Sequence, residues 1–203
     1  MKTSPRLLAG LLVVVAACAL AGKGSRPARF YALTVTESVG DPAPGSWDVS
    51  LGLGPVGIPA YLDRPELVTR VGPNELRLDA GARWAEPLRS GVVRALQQEI
   101  LLASGARRVV LYPWTSAIPV DLVVAVDLLR FERNADGGVE LVARWSVREL
   151  NRGGALFLRE SRLQERVDGM GTAAEVAALS RALGALGGEI ATAAREATPP
   201  PRE

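Results

Sequence analysis

Val120-Asp121-Leu122-Val123-Val124-Ala125-Val126-Asp127-Leu128-Leu129-Arg130-Phe131 carries apolar residues on both of its alternating faces, the pattern of a strand covered on two sides. Such a strand belongs in the middle of a sheet, so the neighbouring segments are read for what flanks it. Directly after it, Asn134-Ala135-Asp136-Gly137-Gly138 has the composition of a hairpin turn. Val139, Leu141, Ala143, Trp145 and Val147 then alternate with Glu140, Arg144 and Arg148, as in a half-exposed antiparallel strand. Asn151-Arg152-Gly153-Gly154 turns the chain again into 155–167, which is rich in charge and suited to a sheet edge.

Upstream, Val109-Val110-Leu111-Tyr112 reads as a strand closed by Pro113-Trp114, with Trp114 either a cap on the core or a ligand platform. Residues 47–56 read as another, with Val49, Leu51 and Leu53 on one face and Asp48 and Ser50 on the other. Residues 30–35 alternate in the same manner, and 66–71 with 75–78 form a hairpin across Gly72-Pro73-Asn74. Helical spacing occurs twice. Leu88, Val92, Leu96 and Ile100 follow Pro87 and stop at Ser104-Gly105, while Val176, Leu179, Leu183, Leu186 and Ile190 form a stripe over about 173–195. Thr172 and Glu175 have capping-box spacing at the start of the second helix. The expected fold is α/β: one domain with a mixed, mostly antiparallel sheet and two main helices packed on it.

The second helix is unusual in its small residues, Ala178, Ala182, Gly184, Gly187 and Gly188 among them. They permit close approach, either within the monomer or between copies in a homo-oligomer. Gly184 and Gly188 also have the spacing of a membrane dimer motif, but Arg181 and Glu189 make this a soluble helix.

The chain begins with Lys2 and Arg6, no acidic residue, and the apolar run Leu7-Leu8-Ala9-Gly10-Leu11-Leu12-Val13-Val14-Val15-Ala16-Ala17 before Cys18. A basic start followed by an apolar run too short to span a bilayer is an export signal. Small residues directly before the only cysteine resemble a bacterial lipobox, in which Cys18 is acylated and becomes the first mature residue. Acyl chains at about 0.8 kcal/mol per buried methylene hold such a chain on a membrane. The expected organisation is signal peptide 1–17, lipidated tether 18–29, domain 30–196 and a disordered Pro-rich tail 197–203. Ala19 after the cysteine, with no aspartate nearby, points by the sorting pattern of such lipoproteins to the outer membrane, facing the periplasm.

Removing the signal takes Lys2 and Arg6 with it and leaves 22 basic against 22 acidic residues, so the mature chain lacks the basic excess of a nucleic-acid binder. The sequence has no histidine and one cysteine. Ser-His-Asp and Cys-His catalysis and ordinary zinc sites therefore cannot be assembled from it, and no metal, cofactor or catalytic residue is assigned. Asp121 and Asp127 share a strand face roughly 20 Å apart, too far for paired-carboxylate chemistry. Gly52-Leu53-Gly54-Pro55-Val56-Gly57 is a literal G-x-G-x-x-G, but Ile58-Pro59 follows where a helix must open, and Pro55 lacks a needed N–H.

Pro59-Ala60-Tyr61-Leu62-Asp63-Arg64-Pro65 is pinned between prolines and carries an aromatic, an acid and a base. It reads either as a rigid connection bonding its own backbone or as a surface facing a partner. This segment, Arg83-Trp84-Ala85-Glu86-Pro87-Leu88, Thr69-Arg70, Tyr112-Pro113-Trp114 and the strand with Asp127, Arg130 and Phe131 together resemble the PqiC/YmbA family, auxiliary lipoproteins of MCE-type intermembrane transport systems. The resemblance spans nearly the whole mature chain. It implies an α/β domain without catalytic residues, held at the outer membrane and docked on an MCE-domain periplasmic protein so that lipid passes between membranes. Tyr61, Leu62, Asp63, Arg64 and Trp84 are the expected partner-binding residues. The alternative is a carrier lipoprotein that binds lipid itself, which requires an apolar cavity.

Overall fold

The computed structural model describes residues 27–36, 42, 45–114, 118–149 and 157–197. Cys18, the Asn151–Gly154 turn, nearly all of the tether and the Pro tail lie outside them. In chain order the elements are β1 (Arg29–Tyr31), β2 (Trp47–Gly57), β3 (Glu66–Gly72), β4 (Glu75–Trp84), α1 (Leu88–Ser104), β5 (Ala106–Leu111), β6 (Leu122–Arg133), β7 (Val139–Glu149), β8 (Phe157–Glu165) and α2 (Thr172–Ala197).

The strands form one mixed sheet organised around β6. On one side β6 pairs antiparallel with β7 along its whole length, from Leu122 opposite Glu149 to Arg133 opposite Val139. Its other side is shared: β2 lies parallel along the first half, and the β3–β4 hairpin meets it at Thr69 opposite Arg133. β5 extends the β2 side, β1 extends the β4 side, and β8 closes the opposite edge with β7 as its partner. The antiparallel ladders are the long ones, and the parallel ladders of β2 and β3 with β5 or β6 join segments on either side of α1.

Both helices lie on one face. α2 packs over β7, β8 and β6, and α1 over β5 and β2. The alternation read in β7 is therefore physical: Val139, Leu141, Ala143, Trp145 and Val147 are buried beneath α2. Trp145 Nε1 donates to Ser161 Oγ at 2.8 Å, and that hydroxyl donates in turn to Glu189 of α2. The other face of β6–β7–β8 carries cross-strand ion pairs, Arg130–Glu140 at 2.7 Å, Arg162–Glu140 at 3.1 Å and Arg144–Glu160 at 2.9 Å.

Four local expectations change. Residues 30–35 form a strand only to Tyr31, because Thr34 and Thr36 give their N–H groups to Ser180 Oγ and Glu99 Oε1 on the helices instead of to a neighbouring strand. Ser50 is buried, since β2 is covered on both faces, and its N–H donates to the Asp121 carboxylate at 2.8 Å. Asp127 by contrast lies exposed, so β6 is not covered along its whole second face. Thr172 is the first helical residue, not the cap. Glu175 sends its carboxylate to Arg133, 3.8 Å away, and burial raises its pKa against that cation.

The glycines of the nucleotide-like motif are there for space. A Cβ at Gly52 would stand 2.8 Å from Val120 Cγ1, one at Gly54 2.5 Å from Tyr112 Cβ, and one at Gly57 against the Asp127 carboxylate. Tyr112, Trp114 and Val120 lie directly on β2, with Trp114 edge-on to Tyr112 at 5.2 Å between ring centroids, which places Trp114 as a cover on the sheet. The first helix ends as read, with Gly105 in the left-handed conformation (φ 65°) and its N–H on the Leu101 carbonyl.

Candidate functional site

The segment between β2 and β3 is a tight turn. The Pro59 carbonyl accepts the N–H groups of Leu62 and Asp63 at 3.0 and 3.3 Å, and Arg64 N–H returns to the Leu62 carbonyl at 2.8 Å. Two side chains fasten the turn to the sheet. Leu62 is buried in the core, and the Tyr61 hydroxyl donates to Glu132 Oε2 at 2.9 Å. Glu132 is only 2% exposed, and its other oxygen receives Arg70 Nε at 2.9 Å. Arg70 also lies over the Tyr61 ring, 5.8 Å from its centroid, and donates to the Pro73 carbonyl at 3.2 Å. The phenol, the carboxylate and the guanidinium thus form one closed, half-buried polar cluster.

That arrangement holds the Tyr61 phenol neutral. Burial first, and then the Glu132 charge beside it, push its pKa up from 10.0 to about 12. Because the folded value exceeds the unfolded one, the contribution to stability is complete below pH 10 and is lost as the pH rises from 10 to about 12. A phenolate absorbance titration is expected to show one group ionising near pH 12, and Tyr61→Phe to abolish that step.

Facing away from this cluster is a groove of about 360 Å³ lined by Asp63, Arg64, Pro65, Trp84, Ala85, Glu86 and Pro87. It forms because β3 starts where β4 ends, with Trp84 N–H bonded to the Pro65 carbonyl at 2.8 Å. Trp84, 8% exposed, is its floor; the two prolines stand as walls. The rim is charged and tied down. Arg89 of α1 holds Asp63 at 3.2 Å and the Val56 carbonyl at 2.9 Å, Arg94 holds Glu86 at 2.7 Å, and Arg64 rests on Glu66 at 3.2 Å. An apolar floor with prolines beside it and paired charges around it has the composition of a protein-binding patch.

Of the five residues expected to bind a partner, the structure brings Asp63, Arg64 and Trp84 into this groove. Tyr61 and Leu62 point the other way and hold the turn that presents it. Sequence reasoning missed Glu132, whose place at the end of an apolar strand gives no sign of burial, and the two arginines of α1 that pin the rim. Among the described residues no group of His, Cys, Asp and Glu is arranged to hold a metal ion. No described helix is long and apolar enough to cross a membrane.

The family model described as the ABC-type transport auxiliary lipoprotein component matches residues 31–191. None of the curated proteins matches the chain. Among solved structures, the crystal structure of an uncharacterized protein is similar over 85% of this chain and 100% of its own, at 18% identity and TM-score 0.67. Protein XCC0632 from Xanthomonas campestris, of the DUF330 family, is similar over 81% of this chain and 93% of its own, at 22% identity and TM-score 0.63. At these identities the two structures speak for the fold alone.

Proposed function

The chain belongs to the family of ABC-type transport auxiliary lipoprotein components, and from that premise we propose that it is a non-enzymatic docking subunit of an MCE-type intermembrane lipid transport system. Acylated at Cys18, it is held on the periplasmic face of the outer membrane, and its domain receives the end of an MCE-domain conduit there. The observation that carries this reading is the groove itself. The two motifs most specific to the family resemblance, Tyr61-Leu62-Asp63-Arg64-Pro65 and Arg83-Trp84-Ala85-Glu86-Pro87-Leu88, meet in one rigid, charge-rimmed surface hollow.

The carrier alternative has less support. A largely apolar hollow of about 430 Å³ between Pro55, Gly57, Ala125, Ser146 and Leu158 is an open groove on the sheet, and it does not enclose a chain of methylenes.

Crosslinking in intact envelopes followed by mass spectrometry tests the proposal. Capture of an MCE-domain protein by the acylated chain, lost in Cys18→Ser, is the expected result; bound lipid with no such partner overturns it. Within that assay, reversing the rim with Asp63→Arg and Arg64→Glu is expected to reduce capture several-fold while leaving the melting temperature in place, since both side chains are exposed. Unchanged capture would remove the groove from the interface. Tyr61 is the poorer probe, because its loss disturbs the Glu132 cluster as well.

A further inference from the structure

At the end of the domain where β6 turns into β7, an apolar stud stands out of the surface. Gly169 and Gly171 have φ of 109° and 86°, values that cost glycine nothing, and between them Met170 is 98% exposed. Single exposed apolar residues are ordinary; the surroundings of this one are not. The first turn of α2 that follows it reaches Arg133 through Glu175 at 3.8 Å, and Glu175 also lies within electrostatic reach of Arg77 and Asp79. Leu78, 41% exposed, lies between those two residues on β4 and faces the other side of the sheet. At this end of the domain lie two polar hollows. One, about 480 Å³, is lined by Asn134, Asp136, Gln164, Glu165 and Arg166 among others, and the second, about 210 Å³, includes Arg77, Arg133 and Asn134.

The N-terminal segment enters the domain close by. Arg29 registers opposite Ala82, three residues along β4 from Asp79, and because β1 runs parallel to β4 the N-terminal end of β1 points toward Asp79. From Cys18 to that point the tether reaches at most about 36 Å. Resting on the reading that Cys18 is acylated, we infer that this end of the domain lies against the phospholipid headgroups, with Met170 entering the acyl boundary and Arg77, Arg133 and Arg166 beside headgroup phosphates. An exposed apolar tip with arginines within reach of the headgroup layer is how a domain rests on a membrane interface. The groove with Trp84 lies at the start of β3, and β3 runs from there toward the Met170 end. The contact with lipid therefore leaves the groove free for a protein.

Acylation uses the only cysteine of the chain, so Met170→Cys supplies a single thiol for a polarity-sensitive fluorophore. The acylated protein is placed in vesicles of phosphatidylethanolamine and phosphatidylglycerol and isolated by flotation. Tyr112→Cys is the control. It is 59% exposed, and it follows Leu111, which through Leu53 aligns with Val124 of β6, about 30 Å along the strand from Arg133. The expected result is a blue-shifted emission, several-fold brighter at 170 than at 112, and quenched by lipids carrying a quencher on the acyl chain. Flotation with equal, water-like emission at both sites overturns this orientation and spares the anchor. Emission at 170 that changes only when an envelope protein is added overturns it in favour of a protein partner. Failure to float overturns the anchor and the orientation together. An unchanged melting temperature of Met170→Cys excludes a folding artefact.

Discussion

Arg70→Met is expected to cost about 3–5 kcal/mol of folding stability, read from urea denaturation of the domain in its native chain, because it leaves a buried carboxylate without its cation. Glu132 is 2% exposed, and Arg70 supplies the only salt bridge to it among the described residues, at 2.9 Å. The Tyr61 hydroxyl and the Phe131 N–H, both at 2.9 Å, are neutral donors and cannot compensate the charge. Converting the carboxylate as well, in Arg70→Met with Glu132→Leu, is expected to recover most of the loss, since well-packed apolar side chains replace buried ion pairs at little cost. What remains is about 1 kcal/mol for the hydrogen bonds that Tyr61 and Phe131 no longer make. If the single and double variants are equally unstable, the damage lies in lost packing of the arginine stem and the charge argument fails. The experiment bears on function because this cluster pins the turn that presents Asp63 and Arg64.

The second large effect separates two adjacent glycines of α2. A Cβ at Gly187 would stand 2.6 Å from Glu99 Cβ and 3.4 Å from the Glu99 carbonyl carbon on α1, whereas at Gly188 it would meet nothing within 4 Å. Gly187→Leu must push the helices apart and is expected to cost about 3 kcal/mol. Gly188→Ala is expected to stabilise by about 0.5–1 kcal/mol through the smaller entropy loss of alanine in a helix. Thermal melts of the two variants therefore move in opposite directions. The same pair addresses the two readings of the small-residue stripe. Gly187 and Gly184 face Glu99 within the monomer, so the Gly187→Leu loss is expected at every protein concentration. A loss that grew on dilution would instead point to contacts between copies.

Much of this could be read before any coordinates. The hairpin turn at Asn134–Gly138, the helix stop at Gly105 and the alternation from Val139 to Val147 are all local: each depends on residues within a few positions of one another, and the backbone responds with a fixed period of 2 or 3.6. The candidate site was legible only in part. Pro59 and Pro65 marked a rigid turn, and Trp84 stood before a helix start. Nothing local, however, distinguished Tyr61 and Leu62, which hold the turn from inside, from Asp63 and Arg64, which face out. The two prolines stop any helix or strand there, so no periodicity runs through the turn to assign its faces.

From its residues alone, then, this chain gives a sheet centred on β6, two amphipathic helices and a sequence without histidine, and its first eighteen residues are expected to be an export signal ending in a lipobox-like cysteine. Composition and short-range periodicity suffice for each of these. Tertiary structure alone decided that Gly52, Gly54 and Gly57 make room for Val120, Tyr112 and Asp127, that Glu132 is buried between Tyr61 and Arg70, and that Trp84 floors a groove walled by Pro65 and Pro87. Each of those outcomes joins residues far apart in the chain; Tyr61 and Glu132, for one, are separated by 71 positions. A polar side chain carries no local mark of what will close over it. Its burial is settled only when the sheet brings a distant strand alongside.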